Sequence, residues 1–213
     1  MKHIGIIPDG ARRWAKENHY SERDAYFKSM QLLYDYVSFF LSNSVQYISI
    51  YLCSRDNVVR RSKSNKNNAY AAQIFFLTDL LPRLLDKYDF QVIIAGSTNL
   101  VPLDYKKAVD EIESKSQISS PKKIYLLIAY SSVEEIKQAA NKSIKNFESY
   151  LWVKENVDIL IRTSVDGRLS DFLPLQSAYA EIFFIDKYFN DTSEKDLIKI
   201  LDEYKSRKRR YGK

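Results

Sequence analysis

Six short, almost unbroken apolar runs punctuate this chain, with longer amphipathic segments between them. The runs are 3–7 (HIGII), 46–52 (QYISIYL), 90–95 (FQVIIA), 123–129 (KIYLLIA), 157–162 (VDILIR) and 181–185 (EIFFI). A strand with one face in water alternates polar and apolar residues, whereas a strand apolar throughout is covered on both faces. The stretches between, roughly 22–42, 69–88, 103–116, 133–148 and 193–209, carry helical spacing, as in Tyr26, Met30, Leu33, Val37 and Phe40. This alternation predicts an α/β fold with a six-stranded, mainly parallel sheet flanked by helices. No linker-like tract or internal repeat divides the 213 residues, so 1–213 is read as a single domain. The polar stretch 60–68 (RRSKSNKNN) is expected to be a loop.

Open parallel sheets bind ligands at the carboxyl ends of their strands. Three of the predicted strands end in arginines mixed with acid, hydroxyl or amide groups. The first runs into Asp9, Gly10, Arg12 and Arg13; the second into Ser54, Asp56, Asn57, Arg60 and Arg61; the fifth into Arg162, Ser164, Arg168 and Ser170. Guanidinium forks suit phosphate oxygens, so three such ends on one sheet edge point to a polyanionic ligand. The five glycines form neither a dinucleotide fingerprint nor a P-loop, and no serine sits in a nucleophile elbow. A carboxylate among arginines is either a structural ion pair or a holder of Mg²⁺ against a diphosphate. Beside so much apolar surface, the diphosphate expected is a prenyl diphosphate.

Charge and cysteine content narrow the setting. The net charge is +6, and the last nine residues, KSRKRRYGK, hold six Lys or Arg, so the body is nearly neutral. Such a tail is a solvated helix end, a grip on a phosphorylated ligand, or a peripheral membrane contact. No nucleic-acid-binding signature accompanies it, so no nucleic-acid partner is expected. The single cysteine, Cys53, excludes an internal disulfide. No apolar run approaches the roughly 20 residues that span a bilayer, and no signal-peptide pattern opens the chain. The expected location is the cytoplasm.

The motifs resemble those of the cis-prenyltransferase, or undecaprenyl diphosphate synthase, family along essentially the whole chain. PDGARRWA is similar to the family's D-G-N-G-R-W-A. SIYLCSRDNVVR is similar to Y-x-F-S-x-E-N-W-x-R. VDILIRTSVDGRLSDFLPLQSAYAEIFF is similar to the long D-L-x-I-R-T-S-G-E-x-R-L-S-N-F signature, which ends in Y-A-E. Arg210-Tyr211-Gly212 is similar to the closing R-x-G. The resemblance implies that Asp9 and Glu181 hold Mg²⁺, and that Asp9, Arg13 and Asn57 are catalytic. It implies that Gly10, Arg12, Trp14, Tyr26, Ser54 and Arg60 bind substrate, with Gly10 and Arg13 at the allylic diphosphate. Arg162, Arg168 and Ser170 would bind the second diphosphate, with Arg210 and Gly212 closing over one. It also implies a homodimer acting on dimethylallyl diphosphate, isopentenyl diphosphate or both.

The departures have their own pattern. The family's Asn is Ala11, its next-helix His is Tyr26, its Trp is Val58, and its N-Y-G-G-R reads Ala129-Tyr130-Ser131-Ser132-Val133. Diphosphate-binding groups are kept, while those that shape the allylic pocket change. PDGxRRW, the tyrosine and the RRYG ending resemble the cyclolavandulyl diphosphate synthase branch, which couples two dimethylallyl diphosphates head-to-middle. The alternatives are a head-to-tail enzyme adding isopentenyl diphosphate to an allylic primer, and a non-catalytic subunit. In the family, residues 69–81 would form a wall of the product tunnel. Phe75 and Phe76, faced by Tyr125, are either ordinary aromatic core or a plug in that tunnel.

Overall fold

Each apolar run forms a strand. The computed structural model describes residues 1–164 and 166–207; Arg210, Gly212 and the end of the basic tail lie outside that range. The strands are β1 (His3–Ile7), β2 (Tyr47–Tyr51), β3 (Gln91–Gly96), β4 (Lys123–Ile128), β5 (Ile159–Thr163) and β6 (Glu181–Ile185). They form one all-parallel sheet in the order β3-β4-β2-β1-β5-β6. From β1 the chain goes first to β2 on one side and later to β5 on the other. The carboxyl ends of β1 and β5 therefore border the crevice at the switch of winding direction, the favoured ligand position in such sheets.

The helices are α1 (Ala11–Glu17), α2 (Glu22–Ser42), α3 (Arg55–Arg60), α4 (Lys63–Phe75), α5 (Leu81–Leu85), α6 (Leu103–Lys115), α7 (Ser132–Lys142) and α8 (Glu194–Ser206). The two faces of the sheet are covered unequally. Residues from α2, α4, α5, α6 and α8 join Ile4, Ile6, Ile48, Ile50, Ile124 and Leu126 in the larger core. The other face packs Tyr51, Tyr125, Leu127 and Leu160 against Val153, Val157, Phe172 and Leu173. This smaller core is roofed largely by irregular chain after α7.

Two expectations change. Residues 60–68 are not a loop: Ser62 caps α4, its Oγ accepting from the Asn65 amide at 3.3 Å, and the helix begins at Lys63. The polar composition marks an exposed first helical turn. The single helix expected over 69–88 is divided by a π-helical turn, Phe76–Leu80, before α5. Pro82 stands just inside α5. Its ring crowds the carbonyl four residues back and it has no N–H to give, which a widened turn accommodates.

Candidate active site

Asp9 follows β1, and its neighbours are fixed by β5. The Asp9 amide donates to Thr163 Oγ1, and that hydroxyl donates to the Asp9 carbonyl, both at 2.9 Å. The Asp9 carboxylate accepts from Arg162 Nη2 at 2.8 Å and lies 3.4 Å from Arg13 Nη2. Arg162 is buried, its side chain 3% exposed. Its Nη1 donates to Ser170 Oγ at 2.8 Å and to the Arg168 carbonyl, while its Nε has no partner. Asp166 bridges the outer arginines, 3.1 Å from Arg13 and 3.2 Å from Arg168.

The loop that delivers these groups is strained. Ser164, Ser170, Asp171 and Leu173 all have φ between 41° and 79°, a region L-residues occupy only when their surroundings impose it. Two contacts from other elements hold it. Tyr51 Oη donates to the Ser170 carbonyl at 3.0 Å, and the Asp171 carboxylate accepts from the Ser132 amide at 3.0 Å and from its hydroxyl. Asp171 thereby caps α7 from 39 residues away.

These groups line an open cleft of about 780 Å³ that includes Asp9, Gly10, Arg12, Arg13, Tyr26, Arg61, Arg162, Asp166, Arg168 and Ser170. An inner cavity of about 160 Å³ shares Asp9, Tyr26, Arg61, Arg162 and Ser170 with it. Its walls are more apolar and include Met30, Tyr51, Leu52 and Gln73, together with Ser54 and Asn57. Ser54 and Asn57 form a capping box at the start of α3: Ser54 Oγ accepts from the Asn57 amide at 3.0 Å, and Asn57 Oδ1 from the Ser54 amide at 3.4 Å. Burial raises the pKa of Tyr26, and the positive charges of Arg61 and Arg12 oppose that rise.

Gly10 is required by its backbone. Its φ is +108°, and a Cβ there would meet Tyr188 Cδ1 at 2.6 Å. Gly10→Ala should therefore cost roughly 1–3 kcal/mol and lower Tm by several degrees in a thermal melt. An unchanged Tm would contradict this reading.

Three site residues expected at the cleft, Trp14, Arg60 and Glu181, and the three aromatics expected at the product tunnel lie elsewhere. Trp14 is 3% exposed and packs with Ala15 and Ala25; its Nε1 donates to Asp191 Oδ1 at 2.6 Å. One residue along a helix is a turn of about 100°, so Arg13 faces the cleft and Trp14 the core. Arg60 points into solvent, 77% exposed and 3.5 Å from Asp56. Glu181 heads β6, opposite Ile159 at the start of β5, and its carboxylate meets Arg207 Nη1 at 2.5 Å. Asp9 stands at the other end of the sheet, so within one chain these carboxylates do not converge. Tyr125 does not face Phe76: it packs on the opposite face of the sheet, because strand residues alternate sides. Phe76 is core, Phe75 stacks on Phe27 at 5.4 Å, and neither lines the inner cavity.

Among the described residues no group of three or more His, Cys, Asp or Glu is arranged to hold a metal. Asp9 alone fits the role expected of a Mg²⁺ ligand when a diphosphate supplies further oxygens, since Mg²⁺ commonly takes one or two carboxylates plus phosphates and water. Its carboxylate is 35% exposed and opens on the cleft.

Residues 7–212 match the family model described as putative undecaprenyl diphosphate synthase. The chain belongs to the undecaprenyl diphosphate synthase family of cis-prenyltransferases. It is a prenyltransferase. A curated relative from Sulfurisphaera tokodaii, a geranylgeranyl-diphosphate-specific tritrans,polycis-undecaprenyl-diphosphate synthase, is 31% identical over 99% of this chain and 87% of its own. An isoprenyl transferase from Rickettsia typhi is 28% identical over 100% and 98%. Among solved structures, lavandulyl diphosphate synthase from Lavandula x intermedia, crystallised with dimethylallyl diphosphate, aligns with a TM-score of 0.93 at 26% identity, covering 100% of this chain and 98% of that one. A probable undecaprenyl diphosphate synthase from Campylobacter jejuni shares the fold with a TM-score of 0.82.

Arg61 and Asp166 line the cleft and Thr163 braces Asp9, although none of the three carries an individual role in the sequence reading. Thr163 and Asp166 lie within the long motif and Arg61 directly follows another, so the signal was present. What it lacked was rotation: a motif fixes an order of residues, not which of two neighbours turns inward.

Proposed function

We propose that the protein is a short-product prenyl diphosphate synthase that couples two dimethylallyl diphosphates head-to-middle, giving a branched or cyclised ten-carbon diphosphate. The observation that carries this reading is the small inner cavity. At about 160 Å³ it is well under the roughly 300–1,000 Å³ of drug-sized pockets, enough for a short prenyl group and not for a long polyprenyl chain. The likeness to a lavandulyl synthase bound to dimethylallyl diphosphate supports it further.

In this reading one allylic diphosphate is held by Gly10, Arg12 and Arg13, with its prenyl group in the inner cavity. The other diphosphate is held by Arg162, Arg168 and Ser170. The C1–O bond of the first substrate breaks, and the alkene of the second attacks the resulting allylic cation. A proton then leaves the coupled cation. Arg12 and Arg13 stabilise the departing negative charge from fixed positions. Mg²⁺ held by Asp9 would add Lewis-acid stabilisation of the same charge. We further propose a homodimer through the open edge of β6, where Phe184 is 48% exposed and Tyr179 76%.

The 31% identity to an undecaprenyl-type synthase favours a second reading, head-to-tail addition of isopentenyl diphosphate to an allylic primer. Release of inorganic diphosphate separates the two. With Mg²⁺ and dimethylallyl diphosphate as sole substrate, steady release is expected, and EDTA should abolish it. Release only after isopentenyl diphosphate is added would favour the head-to-tail enzyme.

A further inference from the structure

Arg60 and Arg61 are adjacent but face different surroundings. Arg60 ends α3 and pairs with Asp56 in solvent. Arg61 is the C-cap, with φ −70° and ψ 151°, and this extended residue turns its side chain from the helix surface into the site. It lines the open cleft and the inner cavity, and also a small void beside Cys53 and Tyr70. Its charge reaches the buried groups around that junction, opposing the burial-driven rise in the pKa of Tyr26, Cys53 and Tyr70.

Its ionic state also differs from that of its neighbours in the cleft. Arg13 and Arg162 pair with Asp9, and Arg13 and Arg168 pair with Asp166. Among the described residues, Arg61 has no such carboxylate partner. A diphosphate arriving at Arg61 displaces no existing ion pair, and half-burial strengthens the contact relative to one in water. We propose that Arg61, rather than the motif-aligned Arg60, binds the diphosphate whose prenyl group enters the inner cavity. It lines both spaces, as Arg162 does. The proposal rests on the prenyl diphosphate reading and adds an anion-binding residue to it.

The test uses the full chain with Mg²⁺ and inorganic diphosphate as the calorimetric probe, followed by kinetics with dimethylallyl diphosphate. Arg61→Met keeps most of the apolar stem and removes the charge. It should weaken diphosphate binding by about tenfold to a hundredfold, the loss expected of one charge-assisted contact. It should raise KM by a similar factor while kcat changes little, the mark of a binding contact rather than a general loss of structure. Arg61→Lys should recover part of the loss, and circular dichroism should report an unaltered fold. Arg60→Met should change binding by less than about twofold, as for an exposed pair. Wild-type affinity in Arg61→Met, or a larger loss in Arg60→Met, would overturn the assignment. Failure of the wild-type protein to bind diphosphate at all would overturn the underlying reading instead.

Discussion

Asp9→Asn should lower kcat by a factor on the order of 10² or more and leave Tm within a few degrees of the wild type. The two halves of this expectation have separate causes. The carboxylate charge is what would hold Mg²⁺ against a diphosphate, and the amide does not replace it. The amide oxygen can still accept from Arg162 Nη2, now 2.8 Å from Asp9 Oδ2. Asp9→Ala is a poorer test, since it strips the acceptor from a guanidinium whose side chain is only 3% exposed. That variant should lose stability as well, by roughly 1–3 kcal/mol for the unsatisfied donor. An Asn variant that keeps more than about half the wild-type rate would remove Asp9 from the chemistry.

The second large effect belongs to Arg162. Its Nη1 serves Ser170 and the Arg168 carbonyl, its Nη2 serves Asp9, and its Nε is free and buried. It lines both cavities, so it can reach a diphosphate lying between them. Losing two charge-assisted hydrogen bonds, at roughly 1.5–3 kcal/mol each, predicts a fall in kcat/KM of about 10² or more for Arg162→Gln. Arg162→Lys should recover little, because an ammonium does not reproduce a planar fork that meets several acceptors at once. Arg168 shares the motif but is 67% exposed and tied to Asp166. Contacts in water are worth about 0–1 kcal/mol, so Arg168→Ala should cost no more than roughly tenfold. Equal losses from the two sites, measured under the same conditions, would contradict this ranking.

The six strands were legible because burial on both sides of a parallel sheet demands unbroken apolar runs, and each run became a strand. The edge of the sheet that carries Asp9, Arg13, Arg162 and Ser170 was legible for a related reason: in a parallel sheet all strand ends that can hold a ligand lie together. Rotation and polarity were less legible. Arg60 and Arg61 are equivalent by composition, and only the end of α3 decides which one enters the cleft. Glu181 falls in a motif with Arg162, yet it begins its strand where Arg162 nears the end of its own. A parallel pairing then puts them at opposite ends. Tyr125 and Leu126 are both apolar-run residues, and alternation sends them to different faces. Pro82 lies inside the span read as one helix, and a proline there kinks, ends or widens a helix; here the turn before it is widened.

The small inner cavity ties the fold to the proposed reaction, and the carbon skeleton of the product tests that link most directly. Purified protein would be incubated with Mg²⁺ and dimethylallyl diphosphate alone, the product dephosphorylated, and its connectivity determined by NMR and mass spectrometry. The expected product is a ten-carbon alcohol in which C1 of one unit is bonded to C2 of the other, branched or closed into a ring. A linear polyprenyl alcohol of forty carbons or more, formed only when isopentenyl diphosphate is present, would contradict it.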